Sequence, residues 1–338
     1  MEKELIILSV ESSCDETSVA IIRGEKILSN IVLSQIDIHA KFGGVVPEVA
    51  SRNHTKYILE CFIKAIFEAG IKIEDLDYVA VTNGPGLVGS LLVGVSSALA
   101  FAWAHQLKVI GINHLLGHIF ASTIASSIEY PAISLLVSGG HTDLIYLKDA
   151  FSYQVLGVTM DDAVGETYDK VARILNLGYP GGPIIDKLAA LSSKPDAIKF
   201  PTPLSPKFHF SFSGLKSAVL RKYQEDIKNN IPIIKEDYAA SFQDIVIKIL
   251  VNKTKEALAE YHPKTLILAG GVSANRALRR AFTSEFTNLK LLIPEVSYCT
   301  DNAAMIAFCA KTMIEHHKVS KDLDYRLEIF STNRFTDL

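Results

Sequence analysis

One order of secondary structure occurs twice along this chain of 338 residues, and that repetition limits the fold more than any other feature of the sequence. Each copy begins with three short apolar runs separated by tight polar turns, the pattern of an antiparallel meander. These runs lie at 5–10, 18–22 and 27–33, and again at 133–137, 142–147 and 153–156. Alternating helical and strand-like patterns follow in both copies. We therefore predict an α/β protein with two similar halves, residues 1–131 and 132–338; two unrelated α/β domains are the alternative.

The other elements follow from apolar spacing and from the residues that end helical patterns. In the first half the sequence predicts helices at 47–69, at 87–106 and from 114 onward, and strands at 78–82 and 109–112. In the second half it predicts helices at 163–175, 185–192, 215–225, 238–260, 275–285 and 303–316, with strands at 265–268 and 289–293. Ligands of such sheets bind beyond the carboxyl ends of the strands. We therefore expect a nucleotide cleft between the two halves.

A stretch without any charge runs from residue 78 to residue 104, and by length alone its 27 residues could span a bilayer. Its interior reads Asn83-Gly-Pro-Gly, which breaks a continuous helix. A strand, a tight turn and a buried helix explain the stretch better than a membrane span does. The chain starts with an apolar run too short for a signal peptide, and its four cysteines do not cluster. We therefore predict a cytoplasmic protein with reduced thiols.

The charge balance is slightly acidic, with 34 Lys and Arg against 37 Asp and Glu and a net charge of −3. Proteins that bind nucleic acid unaided usually carry an excess of positive charge, because phosphate contacts supply most of the affinity. Any basic surface is therefore expected to be local, at 216–222 or 276–280, or to come from a partner. The alternating Phe208, Phe210 and Phe212 fit either one face of a strand or a base-stacking platform.

Loops rich in glycine and serine follow several predicted strands. Residues 9–17 and 137–142 connect the first two strands of each half, and such residues let backbone amides approach a phosphate. In the first of these turns Glu11 and Asp15 can hold a cation or a hydroxyl group, unless they are solvated turn acids. Residues 268–275 (LAGGVSAN) place Asn275 at a helix start but lack the GxGxxG spacing of a dinucleotide site.

Two histidines lie four residues apart in His114-Leu-Leu-Gly-His118. That spacing puts both imidazoles on one face of a helix, within reach of one metal ion. A capping histidine followed by a chance second histidine is the alternative. A zinc peptidase has a glutamate directly after the first histidine, where this chain has Leu115. Asp301, at a strand-to-helix junction, is a candidate third ligand, unless it is a helix N-cap.

Carboxylates also surround a glycine-proline turn in the second half. They lie in residues 161–169, next to the turn at 179–183 (YPGGP), and at Asp186. An ionised carboxylate accepts hydrogen bonds from two adjacent hydroxyl groups, so these residues fit a ribose. For Asp161 and Asp162, stabilisation by a helix N-terminus is the favoured explanation.

Nine ordered motifs together resemble the universal tRNA adenosine threonylcarbamoyltransferase family, in its bacterial or organellar branch. They are residues 11–17 (ESSCDET), 43–48 (GGVVPE), 84–89 (GPGLVG), 114–118 (HLLGH), 136–141 (LVSGGH), 179–183 (YPGGP), 212–216 (FSGLK), 269–275 (AGGVSAN) and 300–302 (TDN). The resemblance covers nearly the whole chain, and no position of these motifs departs from the family pattern. It implies a duplicated actin/Hsp70/sugar-kinase-like fold.

The resemblance also implies a reaction: transfer of the threonylcarbamoyl group from threonylcarbamoyl-adenylate to N6 of the adenosine after the anticodon, in tRNAs reading codons that begin with A. By position, one divalent ion, iron or zinc, would be bound by His114, His118 and Asp301. The adenylate would be bound by Leu136, Val137, Ser138, Gly139, Gly140, Asp169, Gly182, Asp186 and Asn275. Our candidate for the residue that accepts the amine proton is Glu11. Bacterial members of the family need a non-catalytic paralogue and a small ATPase as partners.

Three other functions compete with this interpretation. An actin-like ATPase or small-molecule kinase shares both phosphate turns and has no need of the histidine pair. A metallopeptidase is disfavoured by Leu115. A non-catalytic scaffold would tolerate the loss of His114 and His118.

Overall fold

A mixed sheet of five strands organises the first part of the chain in the computed structural model, which describes residues 4–320 and 322–332. The strand order is β3-β2-β1-β4-β5. The strands are β1 (Ile6–Glu11), β2 (Glu16–Arg23), β3 (Lys26–Ser34), β4 (Tyr78–Gly84) and β5 (Lys108–Asn113). The first three pair antiparallel, and β1, β4 and β5 run parallel. The predicted meander is therefore confirmed. Nearly every residue of β1 and β2 is buried in the sheet, which explains why these runs are apolar.

Helices cover both faces of this sheet. They are α1 (Ile36–His39), α2 (Pro47–Ala69), α3 (Val88–His105), α4 (His114–Phe120) and α10 (Ala303–Glu315). Helix α2 begins with Pro47 in its first turn and ends at Gly70, whose left-handed backbone (φ 63°) terminates it. Its buried Ile58, Cys61 and Phe62 pack on the sheet at the spacing read from the sequence.

The second part of the chain repeats the same sheet order, β8-β7-β6-β9-β10. The strands are β6 (Ala132–Val137), β7 (Thr142–Asp149), β8 (Ser152–Val158), β9 (Thr265–Ala269) and β10 (Lys290–Leu292). Again the first three pair antiparallel and the other two run parallel to β6. The order and the directions are the same in both sheets, which confirms the duplicated α/β plan.

The helices of this second part are α5 (Val164–Ile174), α6 (Gly181–Ala189), α7 (Ser213–Lys228), α8 (Lys235–Tyr261) and α9 (Arg276–Glu285). They pack with β6, β7 and β9 around one apolar core that contains Tyr168, Phe210, Phe212, Tyr238 and Phe242. The predicted bounds differ from these by a few residues, and residues 193–205 are irregular, as predicted.

The division into halves differs from the expected one at its C-terminal end. The chain forms two compact units, Met1–Ser127 with Thr300–Leu338, and Ile128–Cys299. Helix α10, expected in the second half, belongs to the first unit because it packs on β1, β2 and α4. Its first residue, Ala303, donates its backbone N–H to Ser18 Oγ (2.8 Å) and accepts a hydrogen bond from Ser9 Oγ (2.7 Å).

The uncharged stretch forms β4, a turn and α3, as predicted. By length and composition α3 qualifies as a membrane span, with a mean hydropathy of 1.5, but it packs against α2 and β4. One side of the helix is buried through Leu91, Val95 and Ala98, whereas Leu92 and Trp103 are exposed. The helix is therefore only half buried, where full burial was expected.

Gly94 of α3 gives a first testable prediction. A Cβ at this position would lie 2.2 Å from Ser12 Oγ, so alanine forces the helix away from the end of β1. We expect Gly94→Ala to lower the free energy of unfolding by about 1–3 kcal/mol, although alanine normally favours a helix. Urea denaturation measures this difference.

Gly214→Ala in α7 is the matched control, because a Cβ there would come no closer than 3.9 Å to the nearest neighbouring atom. It should stabilise the protein by roughly 0.5–1 kcal/mol. Equal stability of Gly94→Ala and the wild type would contradict the close approach of α3 to β1.

Candidate metal centre and nucleotide-binding loops

The histidine pair lies on the short helix α4, directly after β5. Asn113 caps this helix, since its side-chain oxygen accepts hydrogen bonds from the backbone N–H of Leu115 and Leu116. His114 and His118 are one turn apart, and their ring centroids are 4.7 Å apart in an edge-to-face arrangement. The spacing of four therefore brings both imidazoles to one side of the helix, as predicted.

Asp301 comes from the far end of the sequence and lies beside both histidines. Its Oδ1 is 3.1 Å from His118 Nε2 and 3.6 Å from His114 Nε2. It does not cap α10, because Asn302 takes that role and accepts from the backbone N–H of Met305. The helix-cap alternative for Asp301 is therefore wrong.

The donor atoms of these three residues fit a metal ion. One ligand atom of each lies within 4.8 Å of the other two. His118 is buried; within the described part of the chain its Nδ1 has no hydrogen-bond partner, and its Nε2 lies near Asp301 Oδ1 without the geometry of a hydrogen bond. A buried imidazole without such partners is costly unless a ligand satisfies it. Two imidazoles and one carboxylate are a donor set that suits both zinc and iron.

Glu11 is the last residue of β1, rather than part of the turn after it, and its side chain is fully buried. Its Oε1 accepts a hydrogen bond from the backbone N–H of Ser13 (2.6 Å). Its Oε2 accepts from Thr82 Oγ1 and lies 3.1 Å from His114 Nδ1. Asp15 is buried as well, so neither acid is a solvated turn residue.

These contacts determine the charge state of the pair. Burial alone would lower the pKa of His114, but the negative charges of Glu11 and Asp301 and the hydrogen bond to Glu11 raise it to about 9. Burial alone would raise the pKa of Glu11, but the charge and the hydrogen bond of His114 hold it below its usual range. Glu11 therefore has a lowered pKa because of its polar neighbours, although it is fully buried.

In the second unit, the turn after β6 contains Ser138, Gly139 and Gly140. The Ser138 backbone N–H donates to the carbonyl of His141 (2.9 Å), and Ser138 Oγ accepts from the backbone N–H of His141 (3.1 Å). The side chains of Leu136 and Val137 are fully buried in β6. These two residues can therefore offer only backbone groups to a ligand.

The predicted carboxylates lie inside α5 and α6 and contact the first residues of other helices, whereas Asn275 lies at a helix start. Asp169 accepts from the backbone N–H of Gly181 (2.7 Å), and burial raises its pKa. Asp186 accepts from Nε of Arg276 (2.8 Å), which is the first residue of α9. Asn275 caps that helix through Leu278 N–H and donates its Nδ2 to Gln243.

Direct contacts link these loops into one region of the second unit. Gly165 donates its N–H to the carbonyl of Ser138 (3.2 Å), and a Cβ on Gly270 would lie 2.4 Å from the carbonyl oxygen of Val137. In contrast, a Cβ on Gly139, Gly140, Gly182 or Gly271 would meet no atom within 4 Å. Neighbouring described residues do not require glycine at these four positions, and the open space beside them suits a ligand.

The acidic, aromatic and basic residues predicted in the second unit have partners inside it. Asp161 accepts from Ser211 Oγ and from the backbone N–H groups of Phe212 and Ser213, so it stabilises the start of α7 rather than that of α5. Asp162 pairs with Lys170 and Lys216. The alternating phenylalanines do not form a base-stacking platform, because all three are buried in the core. The predicted basic segments are partly neutralised by the ion pairs of Lys216 and Arg276.

Sequence reasoning missed Thr82, Gly165 and Gln243. Thr82 lies in an uncharged strand, and Gln243 lies within a long amphipathic helix, so no local pattern distinguishes them. Only the parallel pairing of β1 with β4, which sets Val10 opposite Val81, brings Thr82 to Glu11.

A model of the tRNA N6-adenosine threonylcarbamoyltransferase family matches residues 26–308 of the chain. The tRNA N6-adenosine threonylcarbamoyltransferase of Bacillus anthracis is 50% identical over 324 residues, which cover 94% of each chain. The protein of that name from Streptococcus thermophilus is 51% identical over 307 residues, 90% of each chain.

Two solved structures share the fold at low sequence identity. Full-length HypF in its phosphate- and nucleotide-bound form has a TM-score of 0.65 at 12% identity, covering 95% of this chain and 48% of HypF. Component A of the (R)-2-hydroxyglutaryl-CoA dehydratase of Acidaminococcus fermentans has a TM-score of 0.54 at 15% identity, covering 92% of this chain and 99% of that one.

The matches to relatives span nearly the whole chain, and the family model covers every motif named above from residue 43 to residue 302. They do not favour an ATPase or a small-molecule kinase, and they place the chain among transferases rather than peptidases. The chain belongs to the tRNA N6-adenosine threonylcarbamoyltransferase family, whose reaction modifies N6 of adenosine in tRNA.

Proposed function

We propose that the chain transfers the threonylcarbamoyl group of threonylcarbamoyl-adenylate to N6 of the adenosine that follows the anticodon, in tRNAs reading codons that begin with A. The convergence of His114, His118 and Asp301 carries this proposal, because residues so distant in sequence bring one ligand atom each within 4.8 Å of the others. The donor is a mixed anhydride and already activated, so a covalent enzyme nucleophile is not required. The exocyclic amine of adenine is a poor nucleophile, so the enzyme must orient it and stabilise charge on the attacked carbonyl.

The second unit supplies residues suited to the adenylate. Gly139, Gly140 and Gly182 leave space for phosphate or sugar atoms, and backbone amides in such turns bind anions. Asp169 presents a half-buried carboxylate and Asp186 a buried one, and both can accept hydrogen bonds from ribose hydroxyls. Asn275 sits at the N-terminus of α9, which favours negative charge.

The first unit supplies the metal ligands. We propose that His114, His118 and Asp301 hold one iron or zinc ion, His114 and His118 through Nε2 and Asp301 through Oδ1. A divalent ion bound by three protein ligands supplies a Lewis acid with open coordination positions for oxygen atoms of a substrate.

Partner proteins and cytoplasmic location are also part of the proposal. Helix α2 exposes Leu59, Ile63 and Phe67 along one line, and α3 exposes Leu92 and Trp103. Apolar side chains exposed in a line are typical of protein interfaces. This surface of α2 and α3 supports binding of the non-catalytic paralogue, and a small ATPase completes the predicted assembly.

The transfer reaction can be tested directly. The protein, its candidate partners, synthetic threonylcarbamoyl-adenylate and an unmodified tRNA reading codons that begin with A are incubated, and the digested nucleosides are analysed by mass spectrometry. We expect threonylcarbamoyl-adenosine in place of one adenosine per tRNA, and none with a tRNA whose target adenosine is replaced by guanosine. Unmodified tRNA with all partners present would refute the proposal.

The metal ligands give a second prediction. His118→Ala removes one of three proposed protein ligands, so the purified protein should lose its bound metal, as measured by inductively coupled plasma mass spectrometry. His105→Ala changes an exposed histidine at the end of α3 and should leave the metal content unchanged. Full metal occupancy in His118→Ala would exclude this residue as a ligand.

The open glycines give a third prediction. Gly182→Ala meets no neighbouring atom, so the free energy of unfolding should not fall. The added methyl group would occupy space that we assign to the adenylate, so affinity for AMP should fall about tenfold or more, by about 1.4 kcal/mol. Isothermal titration calorimetry measures the affinity, with Gly214→Ala as control. Unchanged AMP binding would remove Gly182 from the donor site.

A further inference from the structure

We propose that Glu11 is a positioning residue for His114, held in place by Thr82 and the backbone amide of Ser13, and that it does not accept the proton of the adenine amine. This inference rests on the proposed metal site and goes beyond it. It assigns tasks to Glu11, Thr82 and Ser13 that concern the orientation of one ligand.

The Glu11 carboxylate is not accessible to a substrate. Glu11 is fully buried, and both oxygens of its carboxylate have partners. Oε1 accepts from the Ser13 amide, and Oε2 accepts from Thr82 and approaches His114. A general base must come within hydrogen-bond distance of the proton that it takes. A carboxylate enclosed in this way has no oxygen facing a substrate, so it cannot take a proton from an amine.

The two ring nitrogens of His114 face different groups. Nδ1 lies 3.1 Å from Glu11 Oε2 and 3.1 Å from the Ser13 hydroxyl. A histidine that binds a metal through Nε2 keeps its proton on Nδ1, and Glu11 Oε2 is placed to accept that hydrogen bond. That Nε2 atom is the one that faces Asp301. Glu11 thereby selects the tautomer that can bind a metal and makes the imidazole a stronger donor.

Thr82 and the Ser13 amide hold the Glu11 carboxylate in place. The chain is constrained on both sides of the carboxylate: β4 supplies the Thr82 hydroxyl, and the turn after β1 supplies the Ser13 amide. Thr82 is itself fully buried between β1 and β5. The carboxylate cannot rotate away from His114 without leaving a buried hydroxyl and a buried amide unpaired, which costs about 1–3 kcal/mol for each group.

Two substitutions test, through metal affinity, whether Glu11 and Thr82 position His114. Glu11→Gln keeps the shape but removes the charge, and Thr82→Val keeps the shape but removes the hydroxyl. Co²⁺ is titrated into the metal-free protein, its d–d absorption is followed, and the dissociation constant is determined by competition with a chelator. Loss of such an outer partner should weaken binding roughly 10–100-fold for Glu11→Gln and more mildly for Thr82→Val. Thr82→Ser retains the hydroxyl and should restore the wild-type value.

Thr17→Val is the matched control. Thr17 is a fully buried threonine of the same sheet whose Oγ1 bonds a buried histidine, His54 (2.7 Å), that is not a proposed ligand. Loss of the Thr17 hydroxyl should lower the free energy of unfolding as much as loss of the Thr82 hydroxyl does. It should leave the Co²⁺ affinity unchanged. Nitrogen NMR shifts of ¹⁵N-labelled histidine in the metal-free protein should show a protonated, hydrogen-bonded Nδ1 on His114 in the wild type, and loss of that hydrogen bond in Glu11→Gln.

Each outcome decides between the two levels of the proposal. If the wild type binds one Co²⁺ and His118→Ala does not, the proposed metal site is supported. Wild-type Co²⁺ affinity in Glu11→Gln would then overturn only the positioning role of Glu11. Equal weakening in Thr17→Val and Thr82→Val would also overturn it, because general destabilisation would explain both. A wild type that binds no Co²⁺ would overturn both the proposed metal site and the positioning role of Glu11.

Discussion

The start of helix α10 is fixed to β1 and β2 of the first unit, and the position of Asp301 beside the two histidines depends on that attachment. Ser9 of β1 and Ser18 of β2 both bond the backbone of Ala303, and all three residues are fully buried. Because Asn302 caps the helix, the preceding Asp301 is left outside the helical hydrogen-bond pattern, next to the histidines. One pair of buried serine hydroxyls thus determines where the only carboxylate of the donor set stands.

The sequence predicted those elements whose formation depends on the spacing of residues close together in the chain. The meanders, the helix α2 and the His114–His118 spacing depend on side-chain alternation and helical periodicity, and the structure confirms them. The position of α10 could not be predicted, since apolar spacing says that a helix has a buried face but not which sheet will cover it. The contact between Thr82 and Glu11 was missed for the same reason, because it requires the register of β1 on β4.

Some of the positive charges of the chain are used inside the protein. Lys216 pairs with Asp162 and Arg276 with Asp186, so two cations that the sequence offered to a nucleic acid serve to fix loops of the second unit. The net charge of −3 gives the chain no overall excess of positive charge for phosphate groups. A tRNA-modifying enzyme with this balance needs a local basic surface, or a partner, to bind its large anionic substrate.

The attachment of α10 also has a consequence for the order of events in the cell. Asp301 follows His118 by 183 residues, and the whole second unit lies between them. At ribosomal rates of about 5–20 residues per second, the two histidines are made on the order of ten seconds or more before their carboxylate partner. A nascent chain therefore lacks one of the three proposed ligands until α10 is made and docked. At the proposed metal site, uptake of the ion is a late step of maturation that follows completion of the first unit.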